Sequence, residues 1–235
     1  MQITRNSGRL VGLLLLLGVI TGAWGTAIRG LSGIKANSKE FLDSIVANTE
    51  QMKLAIGLDM LGSAVIVLLA IYLYPIIKKY SVRLAVAYTG IAAINFMIIT
   101  LSNLVHWSLL SVGESYSLSE NPELQSFTSL AYVHYEAYYW AHFVLLMCYA
   151  IGGSVLYYFL FKTQLVPKWI AVWGILAQSI VFTAALLQLM DISVSFYLFI
   201  QNGIFTLTLI AVLLAVGFRI EKYNTIGEHH KELNK

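Results

Sequence analysis

The sequence predicts an all-α fold: a polytopic membrane bundle of six transmembrane helices, with both termini on the cytoplasmic side (N-in/C-in). Three observations predict it. Hydrophobic residues make up 58% of the 235 and charged residues only 11%, less than half the usual share of about a quarter in soluble domains, and mean hydropathy is +0.74. The apolar residues fall in six runs, each long enough for a bilayer crossing of roughly 20 residues at about 1.5 Å rise. The 15 Lys and Arg residues are also divided unevenly between alternate connections. This balance excludes a disordered chain and a disulfide scaffold. It points to the lipid bilayer as partner, with no nucleic acid. Protein partners are unknown from sequence, and a homo-oligomer is open.

The six runs cover 10–28, 55–77, 84–110, 138–161, 167–189 and 195–218. With no water to bond backbone groups inside a bilayer, such runs form helices rather than open strands. The first carries Gly18 and Gly22, a GxxxG pair suited to close helix packing. Arg5, Arg9, the Leu-rich run and Ala23-Trp24-Gly25 share the order of a signal peptide; an uncleaved helix is the expectation. Pro75 marks an end or a kink of the second helix. Pro167 suits the first position of the fifth, where a missing N–H costs nothing. Gly152-Gly153 in the fourth permits close packing. Cys148 lies alone in an apolar stretch.

Eleven cations fall on one side: Arg5 and Arg9, then Lys78, Lys79 and Arg83, then Lys162 and Lys168, then Arg219, Lys222, Lys231 and Lys235 in the 219–235 tail. Four fall on the other, Arg29, Lys35, Lys39 and Lys53. The positive-inside rule puts the eleven in the cytoplasm and the chain in the cytoplasmic membrane.

Two outer loops are long. In 29–54, Asn37-Ser38-Lys39-Glu40 reads as a helix cap, and Phe41, Leu42, Ile45 and Val46 follow at helical spacing. That predicts a short amphipathic helix, lying on the membrane surface or covering the bundle. The 111–137 loop has no Lys or Arg and carries Glu114, Glu120, Glu123 and Glu136; a connection of this length is expected to be a lid, a binding loop or disordered.

Ionisable and amide groups at membrane depth are expensive, which makes each a functional candidate. Asp59, Asn103, His106, His142, Gln188, Gln201 and Asn202 fall in the outer part of their helices. The inner half keeps little beyond Asn95 and Gln178. The asymmetry predicts an outward-facing polar pocket. His106, His142 and Asp59 are the candidate metal ligands within it, with zinc the metal such ligands suit; no other cofactor is indicated. His134 and His142 are eight residues apart, about 12 Å along one helix, too far to share an ion.

The segments Ile56-Gly57-Leu58-Asp59-Met60-Leu61 and Leu165-Val166-Pro167-Lys168-Trp169-Ile170-Ala171-Val172-Trp173-Gly174, set in this order of helices, resemble the prokaryotic membrane proteins of domain of unknown function 4386. The resemblance runs over about residues 8–218. It implies a six-helix fold and, by position, carries over Asp59 and Pro167. Where many members place an Arg in the third helix, this chain reads Ala93-Ile94-Asn95-Phe96, so a role resting on that cation does not transfer. The resemblance implies no activity. Three functional expectations follow: a binding, sensing or accessory membrane protein; a membrane-embedded metal-dependent hydrolase acting on lipid; and a small-solute transporter.

Overall fold

The structure, a computed structural model, describes residues 3–29, 34–120 and 123–220. Among them it has seven helices and no strand: α1 (Arg5–Ile28), α2 (Lys39–Ala47), α3 (Thr49–Tyr80), α4 (Val82–Leu118), α5 (Leu124–Thr163), α6 (Lys168–Leu189) and α7 (Tyr197–Val216). All but α2 are long and apolar enough to cross a membrane, so the chain is a multi-pass helical membrane protein. The tail beyond 220, with His229 and His230, lies outside the described residues.

The helices form two compact units. One is built from Met1–Leu17, Val65–Asn95 and Leu146–Lys235, the other from Gly18–Ala64 and Phe96–Leu145. In the first, Leu69, Leu73, Ile76, Phe159, Ala177, Phe205 and Leu209 are buried together. Gly174 brings α6 close to both Tyr157 and Phe205, whose atoms would lie 2.7 Å from an added Cβ. Gly153 likewise packs on Gln178, at 2.7 Å from an added Cβ, as the glycine pair predicts. At its end, Gly217 takes φ 71° to pass Arg5, whose carbonyl oxygen would sit 2.3 Å from a Cβ there.

The second unit corrects the reading of the loops. The 111–137 segment is not a 27-residue connecting loop: α4 continues to Leu118 and α5 starts at Leu124. At about 1.5 Å per residue these helices run about 55 and 60 Å, well beyond a hydrocarbon core of about 30 Å. Outside the apolar runs the helices are amphipathic, which a search for continuous apolar windows misses. Their apolar faces meet α2. Phe41, Leu42 and Ile45 have no exposed surface and join Met52, Ile56, Leu109, Val112 and Ala131. Tyr116 and Phe127 pack edge to face at 5.6 Å, as do Phe41 and Tyr135 at 5.3 Å. Thus α2 covers other helices instead of presenting its apolar face to a bilayer. Its N-cap is Ser38, whose Oγ accepts the Phe41 N–H at 3.2 Å.

Two smaller expectations also change. Of the two alternatives for Pro75, the helix end falls, since α3 runs on to Tyr80. Gly22 has open space around a Cβ, so no close contact is made at that member of the GxxxG pair; tight approaches in this unit include Gly25 to Asp59 and Gly62 to Thr21.

Candidate functional site

The second unit holds a buried polar cluster made from three helices and the residue that follows a fourth. Arg29 is the first residue beyond α1 and is 7% exposed; Asp59 on α3 is 9% exposed. The Arg29 guanidinium donates through Nη2 to the Asp59 carboxylate and through Nη1 to the Tyr138 hydroxyl on α5. It lies 3.4 Å from Asn103 Oδ1 on α4, and its central carbon is 4.9 Å from the Tyr138 ring centroid. His106 follows Asn103 by three residues and so shares its face of α4. Its ring stands 4.8 Å from that of Tyr138.

Burial of both charges is costly, and their attraction offsets it only with further hydrogen bonds. Tyr138 and Asn103 contribute those bonds. Gly25 is where α1 can approach: an added Cβ would sit 2.7 Å from Asp59 Oδ1 and 3.2 Å from the Ala55 carbonyl oxygen. The sequence therefore leaves space for the carboxylate by omitting a side chain.

The cluster is not fully bonded. His106 has no exposed surface, and neither of its ring nitrogens has a hydrogen-bond partner among the described residues. The same holds for Arg29 Nε and Asn103 Nδ2. Buried polar atoms are paired in the great majority of cases, and leaving one unpaired costs about 1–3 kcal/mol. Two of these atoms are donors, and a neutral imidazole adds one donor and one acceptor. Such a set accepts a group that brings oxygen acceptors.

Of the residues singled out from sequence, Asp59, Asn103 and His106 come together here. His142 is half-buried in the same unit, with its ring 6.0 Å from that of Phe143. Among the described residues no three His, Cys, Asp or Glu side chains are grouped so as to hold a metal ion. Asp59, His106 and His142 are thus not brought together as ligands, and the Asp59 carboxylate is engaged by Arg29. Elsewhere in this unit, His134 Nδ1 bonds Ser108 Oγ at 3.0 Å, and Trp140 Nε1 donates to Glu136 at 3.1 Å.

Gln188, Gln201 and Asn202 belong to the first unit. Gln188 Oε1 accepts the Val194 N–H at 3.1 Å and closes the α6–α7 turn, in which Asp191 takes φ 58°. Gln201 Nε2 donates to the Ala177 carbonyl oxygen at 3.2 Å. Asn202 accepts from Gln178 Nε2 at 3.1 Å and donates to the Tyr149 hydroxyl at 3.4 Å. The amides thus tie α7 to α5 and α6. A cavity of about 60 Å³ in this unit is lined by Asn95, Tyr88, Tyr149, Cys148 and Thr206, among apolar neighbours.

Arg29 and Tyr138 are the members that sequence reasoning missed. Arg29 was visible only as a loop cation. The signal for its role was depth: it follows the last apolar residue of the first run, and Asp59 lies four residues into the second. An antiparallel pair of helices puts those positions at one level.

The family model with the description "Domain of unknown function (DUF4386)" matches residues 10–219. No curated protein and no solved structure matches the chain. With nearly its whole length matched, and with its six apolar helices, the chain belongs to the family described as domain of unknown function DUF4386.

Proposed function

We propose that this protein is a binding or sensing protein of the cytoplasmic membrane, and that its recognition element is the Arg29–Asp59–Asn103–His106–Tyr138 cluster. The positive-inside count puts the cluster near the outer face. The observation that carries the reading is His106, wholly buried with both ring nitrogens unpartnered among the described residues. Packing alone gives no reason to bury an imidazole without partners, because an apolar residue of similar volume avoids the cost. The donors Asn103 Nδ2 and Arg29 Nε favour a ligand with a carbonyl or carboxylate oxygen. Since Asp59 already balances Arg29, a neutral carbonyl group fits without adding an unpaired charge.

The test is thermal unfolding of the purified full-length protein in detergent, titrated with acetamide and with acetate. A saturable rise in unfolding temperature with at least one probe is expected, since a ligand that binds only the folded state stabilises it. The rise is expected to disappear in His106→Leu and in Asn103→Leu. No shift with either probe, or an equal shift in the variants, overturns the reading.

A further inference from the structure

We propose a second binding site, in the other unit and independent of the polar cluster: a basic groove that takes the phosphate-bearing headgroup of an anionic phospholipid. The groove, of about 790 Å³, is lined by Gln164, Pro167, Lys168, Trp169, Gly217 and Arg219, with two valines of α7 at its side. Among the described residues no acidic side chain lines it.

The local chain explains its shape. After α5 ends at Thr163, Gln164 turns the backbone with φ 53°. Pro167 then stands at the N-cap of α6, one residue before the first helical position expected for it, and brings no side-chain cap, which leaves the positive end of the helix uncovered by any side-chain acceptor of its own cap. On the other side, Gly217 ends α7 with φ 71°. The Arg219 N–H then donates to the Leu165 carbonyl oxygen at 2.9 Å, which ties the two walls together.

The side chains supply the chemistry. Lys168 and Arg219 are both exposed, and Lys168 Nζ lies 5.9 Å from the Phe161 ring centroid. Trp169 is 58% exposed and stacks on Trp173 at 6.3 Å. A tryptophan with one free edge beside two cations is the arrangement of a headgroup-level site: the ring prefers the interface, and the cations prefer phosphate. Arginine offers paired donors to phosphate oxygens, and lysine a point charge. Arg9 adds charge nearby, with its guanidinium 3.5 Å from the Ala215 carbonyl oxygen. In a water-soluble domain the same groove would suit any phosphate. Here it lies at the ends of membrane-length helices, which places lipid headgroups at its level. The charge count puts that end in the cytoplasm, where anionic lipid concentrates basic segments.

The experiment is native mass spectrometry of the full-length protein released from micelles, titrated with phosphatidylglycerol, with phosphatidylcholine and with inorganic phosphate. Phosphatidylglycerol is expected to give a saturable one-lipid adduct that phosphatidylcholine does not. Lys168→Gln with Arg219→Gln is expected to weaken it by roughly 30-fold, the combined effect of two basic side chains at an anionic surface. The charge-keeping pair Lys168→Arg with Arg219→Lys is expected to retain it. The control pair Lys39→Gln with Lys53→Gln removes the same charge from the other unit and is expected to leave binding unchanged. Equal binding of both lipids, unchanged affinity in Lys168→Gln/Arg219→Gln, or an equal loss in the control pair overturns the proposal. So does displacement of the lipid by an equimolar amount of inorganic phosphate, which would make free phosphate the occupant.

Discussion

Removing both partners of the buried ion pair should cost clearly less than the sum of removing each alone. Arg29 and Asp59 are 7% and 9% exposed, and the guanidinium also serves Tyr138. Asp59→Asn keeps the shape of the side chain but leaves the arginine buried without a countercharge. Arg29→Met leaves the carboxylate in the same position. Breaking a buried pair from one side costs about 3–5 kcal/mol, because the surviving charge is uncompensated. The double variant has no charge left to strand, and its loss should fall short of the sum of the single losses by about 2 kcal/mol or more. Tyr138→Phe removes a single hydrogen bond to a charged group and should cost about 1.5–3 kcal/mol. The assay is equilibrium unfolding of the purified protein in mixed micelles with increasing denaturing detergent, followed by helical circular dichroism. Strictly additive losses in the double variant, or single variants within about 0.5 kcal/mol of the parent, would refute the coupling read from the geometry.

Gly25→Ala should act through the same carboxylate, since its Cβ would lie 2.7 Å from Asp59 Oδ1; a loss of about 1–3 kcal/mol is expected in the same unfolding assay. Phe41→Ala should cost about 3–5 kcal/mol, because the ring has no exposed surface, and hydrogen exchange should rise in α2 and at the facing ends of α4 and α5. Ser38→Ala should cost about 1 kcal/mol through loss of the cap on Phe41 N–H, and Ser38→Gly less. The exposed Lys39–Asp43 pair raises the Lys39 pKa through a hydrogen bond and charge attraction. Stability from a raised lysine is complete below its unfolded value and is lost only as pH rises through the folded one. Lys39→Gln should therefore leave the neutral-pH profile of unfolding unchanged. Zinc content by elemental mass spectrometry should not change in His106→Ala, because Arg29 holds the carboxylate that a shared ion would need.

What the sequence shows and what it hides follow from one distinction. Continuous apolar runs carry their own signature, so all six long helices were legible within a few residues at the apolar parts of their ends. The helical extensions were not, because Ser111–Leu118 and the start of α5 alternate polar and apolar residues and contain no bilayer-length window. Only their contact with Phe41, Leu42 and Ile45 explains their order. Depth was legible too: Asp59, Asn103 and His106 were grouped by level, and they do meet. Direction around the helix was not. Gln188, Gln201 and Asn202 shared the same predicted layer but bond within the other unit, to the α6–α7 turn, α6 and α5. Arg29 escaped notice because a cation beside a span serves as an orientation marker, and nothing in composition separates a solvated marker from one folded back onto a carboxylate.

On the proposed reading, His106, buried and without a hydrogen-bond partner among the described residues, receives an acceptor-bearing ligand. The most direct measurement is nuclear magnetic resonance of the purified protein labelled with nitrogen-15 in its histidine rings, with His106 assigned through the His106→Leu variant. On adding acetamide or acetate in separate titrations, the account predicts that with at least one of them the His106 ring signals move and saturate while those of His134 and His142 stay in place. Static His106 signals across both titrations, or movement of all the histidines together, would contradict it.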